Sequence, residues 1–282
     1  MRVVVTGAAG QLGAAIARSF EEEHDICRLT REELDLADTA GIEPWIRSER
    51  PDVVINCAAH NLVDQAEEDA LPALTVNALA VRALARGCAS VGATFVHYST
   101  DFVFDGTADR PYAEDDAPNP RSAYAMSKLL GEWFARDPAK HYVLRVESLF
   151  GGARRRSSTD LIVDGLLAGR EVPVFVDRTV SPSYVVDVAA ATRALLREGS
   201  PPGLYHCVNS GSTTWENLAL EAARMLGVPA RLRGLRTADT PMRAQRPVFS
   251  VLSNAKLAGL GIAMPAWQDA LGRYLRERAD QR

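Results

Sequence analysis

Short apolar runs recur along the first half of the chain, spaced so that one longer amphipathic segment fits between each pair. Val3 to Thr6, Ile26 to Leu29, Val53 to Asn56 and Thr94 to Ser99 are rich in β-branched residues and read as strands. The intervening stretches read as helices, and no hairpin turn joins one strand to the next. That alternation is the pattern of βαβ units, in which helices cover both faces of a parallel sheet. Ala78 to Cys88, after Asn77, has the alanine and leucine content of a buried helix, and Ala123 to Phe134 reads as another, ended by Asp137-Pro138. Tyr142 to Val146 is read as a sixth strand. The expected fold class is α/β, a Rossmann-type doubly wound parallel sheet.

Beyond Phe150 the pattern breaks into short strands and helices interrupted by Pro173, Pro182, Pro201 and Pro202. This predicts a smaller C-terminal α/β lobe that carries the substrate, over 151–282, beside a dinucleotide-binding domain over 1–150. Val185 to Glu198 reads as a helix that returns to the large sheet, so about 184–206 is assigned to the first domain and the boundary is discontinuous.

At 282 residues, with 47% hydrophobic and 24% charged content, the chain can bury a sizeable core. A formal net charge of -4 gives no electrostatic reason to expect nucleic acid or an anionic membrane as partner. The apolar start of MRVVVTGAAG stops at Val5, so neither a signal peptide nor a membrane span is drawn there and a cytoplasmic location is expected. Cys27, Cys57, Cys88 and Cys207 lack metal spacing and read as small hydrophobes.

The candidate chemistry begins directly after the first strand. Gly7-Ala8-Ala9-Gly10-Gln11-Leu12-Gly13 is a GxxGxxG loop leading into a helix. Gly7 permits the tight turn, Gly10 lets backbone approach a pyrophosphate, and Gly13 allows close helix packing, while the helix N-terminus offers free N–H groups. The second strand ends at Leu29-Thr30-Arg31 with no acidic residue at its tip to take a ribose 2'-hydroxyl. A guanidinium suits a 2'-phosphate, so Arg31 favours NADPH over NADH, against the reading of Arg28 and Arg31 as solvated loop charges. Ala58 and Ala59 supply small residues where the cofactor must pass close to backbone, and Asn77 is counted with these contacts.

Tyr124 and Lys128 form a YxxxK motif, and residues four apart share a helix face. A cation near a phenol favours the phenolate and is expected to lower the Tyr124 pKa, which makes Tyr124 the candidate general acid. Thr100 and Asp101 end the strand of Thr94 to Ser99, at the carboxyl edge where such sheets bind ligands. Thr100 is placed to donate to a substrate carbonyl.

These residues resemble the extended short-chain dehydrogenase/reductases, and within them the dTDP-4-dehydrorhamnose reductase family. The resemblance covers nearly the whole chain and includes Leu34-Asp35-Leu36, Arg50 to Asn56, Val63 to Glu67, Ser99 to Gly106, Tyr124 to Glu132, Arg246-Pro247 and Ser250 to Leu252. It implies Thr100, Tyr124 and Lys128 as the catalytic triad, Asp35 and Leu36 beside the adenine, and Asn61, Val63, Thr100, Asp101, Ser148 and Arg246 as contacts to a nucleotide sugar. It also implies reduction of C4 in a dTDP-4-keto-6-deoxyhexose, with a homodimer as the family expectation. Phe102 stands where the related 4,6-dehydratases carry a glutamate, and the cysteine of the fucose-nucleotide epimerase/reductases is missing. A glutamate that some members use for magnesium is replaced by Ala15, so no metal is predicted.

The departures from the family pattern gather where the sugar should bind. Asn61, Leu62 and Gln65 replace threonine, alanine and lysine. Arg145-Val146-Glu147-Ser148-Leu149-Phe150 replaces Arg-Thr-Ser-Trp-x-Tyr, so Ser148 stands in place of an aromatic, and Asp177 to Pro182 differs at its second and fourth places. Arg154-Arg155-Arg156 is an alternative diphosphate contact or a solvated loop, and Trp215 and Trp267 read as packing residues. Two other readings stay open: an NADP-binding regulatory subunit without turnover, as the beta subunit of methionine adenosyltransferase is, and a reductase of a different carbonyl compound.

Overall fold

The computed structural model describes residues 1–152, 157–197 and 199–280. The first part runs β1 (Arg2–Thr6), α1 (Gln11–Phe20), β2 (Asp25–Leu29), α2 (Thr39–Glu49), β3 (Val53–Asn56), α3 (Val63–Glu68), α4 (Leu71–Leu74), a π-helical turn (Thr75–Leu79), α5 (Ala80–Val91), β4 (Thr94–Thr100), α6 (Ala123–Phe134) and β5 (His141–Val146). Next come β6 (Leu149–Phe150), α7 (Ser158–Leu167), β7 (Val172–Phe175), β8 (Thr179–Val180), β9 (Ser183–Tyr184), α8 (Val185–Arg197) and β10 (Gly203–His206). The chain closes with β11 (Thr213–Thr214), α9 (Trp215–Leu226), β12 (Leu232–Leu235), α10 (Ala255–Gly259) and α11 (Trp267–Asp280).

Six strands form one sheet in the order β10-β5-β4-β3-β1-β2, every pairing parallel. The strand expected as the sixth is the fifth, β5, and the sixth place belongs to β10, which pairs beside it. The Val-rich strands follow from burial on both faces, since a parallel sheet leaves neither side to water. Val3, Val5 and Ile55 join the core beneath α1 and α8, while Val4 and Val54 point the other way into the core of α2 and α5. Helix α8 thus returns to the large sheet, where it packs on α1.

The remaining strands pair only as short two-stranded ribbons, β6 with β9, β7 with β12 and β8 with β11. Trp215 and Trp267 are buried in the main core, which continues from the sheet into α7, α9 and α11. Two sequence stretches quoted together in the resemblance meet in space. Gly106, at φ 80°, packs against Pro247, where a Cβ would stand 2.6 Å from the proline Cβ, and Tyr112 N–H donates to Val251 O at 2.8 Å.

The π-helical turn was not foreseen. It places Asn77, fully buried, so that its Oδ1 accepts from His60 N–H at 2.8 Å and its Nδ2 donates to His60 O and Ser127 Oγ. The wider turn thereby ties the loop after β3 to α6, a use of π geometry common near functional sites.

Candidate active site

The carboxyl ends of β1, β3 and β4 open on a cleft of about 1200 Å³, whose far wall is the segment Val146 to Leu149 after β5. It lies where the strand order reverses between β1 and β3, the switch point at which open parallel sheets take ligands.

Gly7, Gly10, Gln11 and Leu12 form one end of the cleft. Gly7 has φ 63°, and a Cβ there would fall 2.8 Å from Ala58 N. At Gly13, below the cleft surface, a Cβ would stand 2.2 Å from Gly7 O, so this glycine sets the packing of helix on loop. No side chain caps α1. The first N–H groups of that helix, and the positive end of its dipole, therefore face the cleft for an anion. The Gln11 side chain is engaged elsewhere, donating to Gly151 O at 2.7 Å. The loop thus fits a diphosphate through backbone atoms.

Arg31, Asp35 and Leu36 line the same end, with Ala58 and Ala59 opposite. The Arg31 side chain is 82% exposed and meets Asp35 at 3.3 Å, a contact loose enough to yield to a stronger anion. Asp35 accepts from Ala37 N–H at 2.9 Å, which together with Arg31 holds its carboxyl below the ordinary range. Arg28 pairs with Glu21 instead. The donor set at this end suits a 2'-phosphorylated dinucleotide.

Thr100, Tyr124 and Lys128 converge on the middle of the cleft. Ser122 caps α6 by accepting from Ala125 N–H, which sets the helix so that Tyr124 and Lys128 share its inner face. Lys128 Nζ donates to Tyr98 O at 2.6 Å, and burial holds its ammonium down to about 8, against the charge of Glu132 one turn further along. The Tyr124 phenol reaches Asn61 Oδ1 at 3.4 Å and meets Phe102 edge-on at 6.0 Å. Its pKa departs from the sequence expectation. Burial, and then the Asp101 carboxylate, push the phenol above its ordinary value, and Lys128 does not offset them. The group therefore holds its proton firmly at neutral pH.

The other end of the cleft is side-chain rich. Asn61, Asp101, Glu147 and Ser148 line it. Ser148 sits at φ 46°, a left-handed backbone costly for a residue with a Cβ. Asp101 accepts from Thr100 Oγ1 at 2.9 Å, yet burial raises its carboxyl to about 6. Glu147, 1% exposed, accepts from Ser181 N–H at 2.8 Å and from Ser250 Oγ at 2.5 Å, and burial and Asp101 push it well above the ordinary range. The Arg178 guanidinium, whose charge acts on both carboxyls, lies over the Phe175 ring at 5.3 Å with Nε unpartnered.

Glu147, Arg178, Ser181 and Ser250 were not among the predicted site residues. A carboxylate directly after the strand Tyr142 to Val146 and before Leu149-Phe150 was the available signal for Glu147. Conversely, Gly13, Val63, Asn77 and Arg246 do not reach the cleft wall. Asn77 spends its amide on His60 and Ser127, and Arg246 is held bidentate at 2.8 Å by Asp64 of α3. Arg154 to Arg156 lie outside the described residues. Among the described residues no group of His, Cys, Asp or Glu is placed to hold a metal ion, and no helix is long and apolar enough to cross a membrane.

The family model described as RmlD substrate binding domain matches residues 1–279. The chain is 37% identical over 289 residues to the dTDP-4-dehydrorhamnose reductase of Mycobacterium tuberculosis, covering 99% of this chain and 94% of that one. It is 32% identical over 279 residues to the spore coat polysaccharide biosynthesis protein SpsK of Bacillus subtilis, covering 99% and 98%. Among solved structures, the dTDP-4-dehydrorhamnose reductase of Bacillus anthracis in complex with NADP superposes with a TM-score of 0.93 at 31% identity, covering 98% of this chain and 99% of that one.

Proposed function

The chain belongs to the RmlD substrate binding domain family and is an oxidoreductase that uses a nicotinamide dinucleotide, and we propose that it reduces the 4-keto group of a dTDP-4-keto-6-deoxyhexose. The substrate we favour is dTDP-4-dehydro-L-rhamnose, with dTDP-L-rhamnose as product. The observation that carries the reading is the meeting of Thr100, Tyr124 and Lys128 in the cleft that the glycine loop closes at one end.

When bound, the dinucleotide supplies the hydride; Gly7, Gly10 and the α1 N-terminus hold its diphosphate, and Arg31 its 2'-phosphate. The chain supplies the proton. Thr100 and Tyr124 donate to the keto oxygen, and as negative charge grows there the phenol proton crosses to it. A phenol pushed up by burial keeps that proton until the alkoxide forms. The Lys128 ammonium, still charged at neutral pH because its value is about 8, then faces the phenolate left behind.

The test is NADPH oxidation by the purified protein over a panel of 4-keto-6-deoxyhexose nucleotides made in place by a dehydratase and an epimerase. Turnover of dTDP-4-dehydro-L-rhamnose that disappears in Tyr124→Phe is the expected result. NADPH binding without reduction of any sugar would overturn the substrate assignment.

A further inference from the structure

Glu132 extends the spacing of the YxxxK motif by one more turn, since Tyr124, Lys128 and Glu132 stand four apart on one face of α6. It is fully buried, and so is Arg145 of β5, at 1% exposure. Arg145 Nε and Nη2 donate to the two Glu132 oxygens at 2.8 Å each, and Ser99 Oγ of β4 donates to Oε1 at 2.6 Å. Ser99 and Arg145 are register partners on adjacent strands, and Ser99 directly precedes Thr100. The helix that bears Tyr124 and Lys128 is thus clamped to the strand that bears Thr100 through Glu132 and Arg145, neither of which lines the cleft.

Stability alone is a poor reason for such a pair. A buried ion pair repays its desolvation only in part, and apolar residues of the same volume serve a fold about as well. The place of the pair, one turn beyond a buried lysine that has Tyr98 O at 2.6 Å as its hydrogen-bond partner, points to a use in the chemistry.

We propose that Glu132 is a positioning residue for the reduction: braced by Arg145 and Ser99, its carboxylate sets Lys128 against Tyr124 and supplies the negative charge that keeps the buried Lys128 an ammonium. This rests on the reductase reading above. Glu132 touches no reacting atom and acts through Lys128.

The other groups around Lys128 do not fill this role. On β4, His97 Nδ1 takes a hydrogen bond at 3.0 Å from Asn56 Nδ2, because Asn56 Oδ1 is spent on Thr6 Oγ1 and Ala58 N–H. Burial, and then Lys128 itself, hold that imidazole well below its ordinary value, so it is neutral. After β3, burial pushes the Cys57 thiol up, and at neutral pH it carries no charge. On α6 itself the Tyr124 phenol keeps its proton, and the Asn77 amide that reaches α6 through Ser127 is uncharged. Glu132 is left as the anion that offsets the desolvation of Lys128.

The chain has three lysines, Lys128, Lys140 and Lys256, so the ammonium can be followed directly by NMR of protein carrying ¹³C-lysine, with the Lys128 signal assigned by its loss in Lys128→Met. In Glu132→Gln the Lys128 titration should move down by about one pH unit, the lower range for loss of a nearby opposite charge, while the other two signals stay where they are. The alkaline limb of kcat should move with it, whereas a purely structural loss scales kcat equally at every pH. Should the unpaired Arg145 keep that variant from folding, Glu132→Gln combined with Arg145→Met replaces the pair by neutral groups and should show the same downward shift. An unshifted Lys128 titration in a folded variant, or a lower kcat with the limb unmoved, would overturn the proposal. If wild type reduces none of the sugars, the substrate reading fails separately and the NMR titration alone decides the role of Glu132.

Discussion

The two ends of the cleft are built by different means. At the cofactor end the contacts are backbone groups and small residues, with the Arg31 and Asp35 side chains added, from three local stretches, 7–12, 30–36 and 57–59, and the turn at Gly7 has no room for a Cβ. At the sugar end they are polar side chains, Asn61, Asp101, Glu147 and Ser148 on the wall with Arg178 and Ser250 behind, brought from segments far apart in sequence. Backbone recognition tolerates change in most side chains, whereas a buried polar cluster changes its preference with each member. One chain can therefore hold its cofactor site constant while its substrate site drifts.

The comparison breaks most sharply at Tyr124. Tyr124→Phe should lower kcat by about 10²–10⁴-fold, the worth of a positioned general acid, with NADPH affinity by fluorescence titration unchanged. A loss of NADPH binding would mean that the two ends are not independent. Gly13→Ala tests the other side. With Gly7 O 2.2 Å from the added carbon, loop and helix must part, and overpacking of this kind costs about 1–3 kcal/mol, read from the urea midpoint together with weakened NADPH binding.

The same contrast explains what could be read from the chain before its structure. The GxxGxxG loop and YxxxK motif are local, and their spacing on strand, turn and helix leaves little choice of geometry. The parallel sheet was legible because its strands are apolar on both faces. β10 was not, since Gly203–His206 is half-buried and follows Pro201-Pro202, and its strand character comes from pairing with β5. Glu147 and Ser250 are 103 positions apart, so nothing in local spacing links them. The resemblance implied Arg246 as a nucleotide-sugar contact, and only the fold brings Asp64 to it.

Lys128 gives a pH test. Its folded value, held to about 8 by burial, lies below the unfolded lysine value of about 10.4, so the ammonium is charged at neutral pH and discharges as pH rises through 8. If its charge is needed to steady the phenolate, kcat should fall about tenfold per pH unit above that point. A flat profile up to pH 9–10 would remove Lys128 from the chemistry. Arg31→Ala should act more gently and only on the cofactor end. It should weaken NADPH by about tenfold, or 1.4 kcal/mol, and leave NADH unchanged, because the lost partner is the 2'-phosphate. Equal weakening of both dinucleotides would place Arg31 elsewhere.

The smallest effect should come from Asp64→Asn, at the pair that ties α3 to the segment carrying Arg246. Two hydrogen bonds from that guanidinium, with a third from Ala244 N–H, hold the Asp64 carboxyl well below the ordinary range. A carboxyl depressed on folding adds stability above its unfolded value of about 3.9 and loses it as pH falls through the folded value. Asp64 is 43% exposed, so solvent screens the pair and its worth is about 0.5–1 kcal/mol. Urea midpoints of wild type and Asp64→Asn should differ by that amount at neutral pH and converge in acid, and a difference that persists there would show that the pair is not its source. Because the tie lies behind the sugar end, the variant should raise KM for the sugar nucleotide and leave NADPH affinity alone. A change in both would mean that the backbone-built end leans on the side-chain-built one.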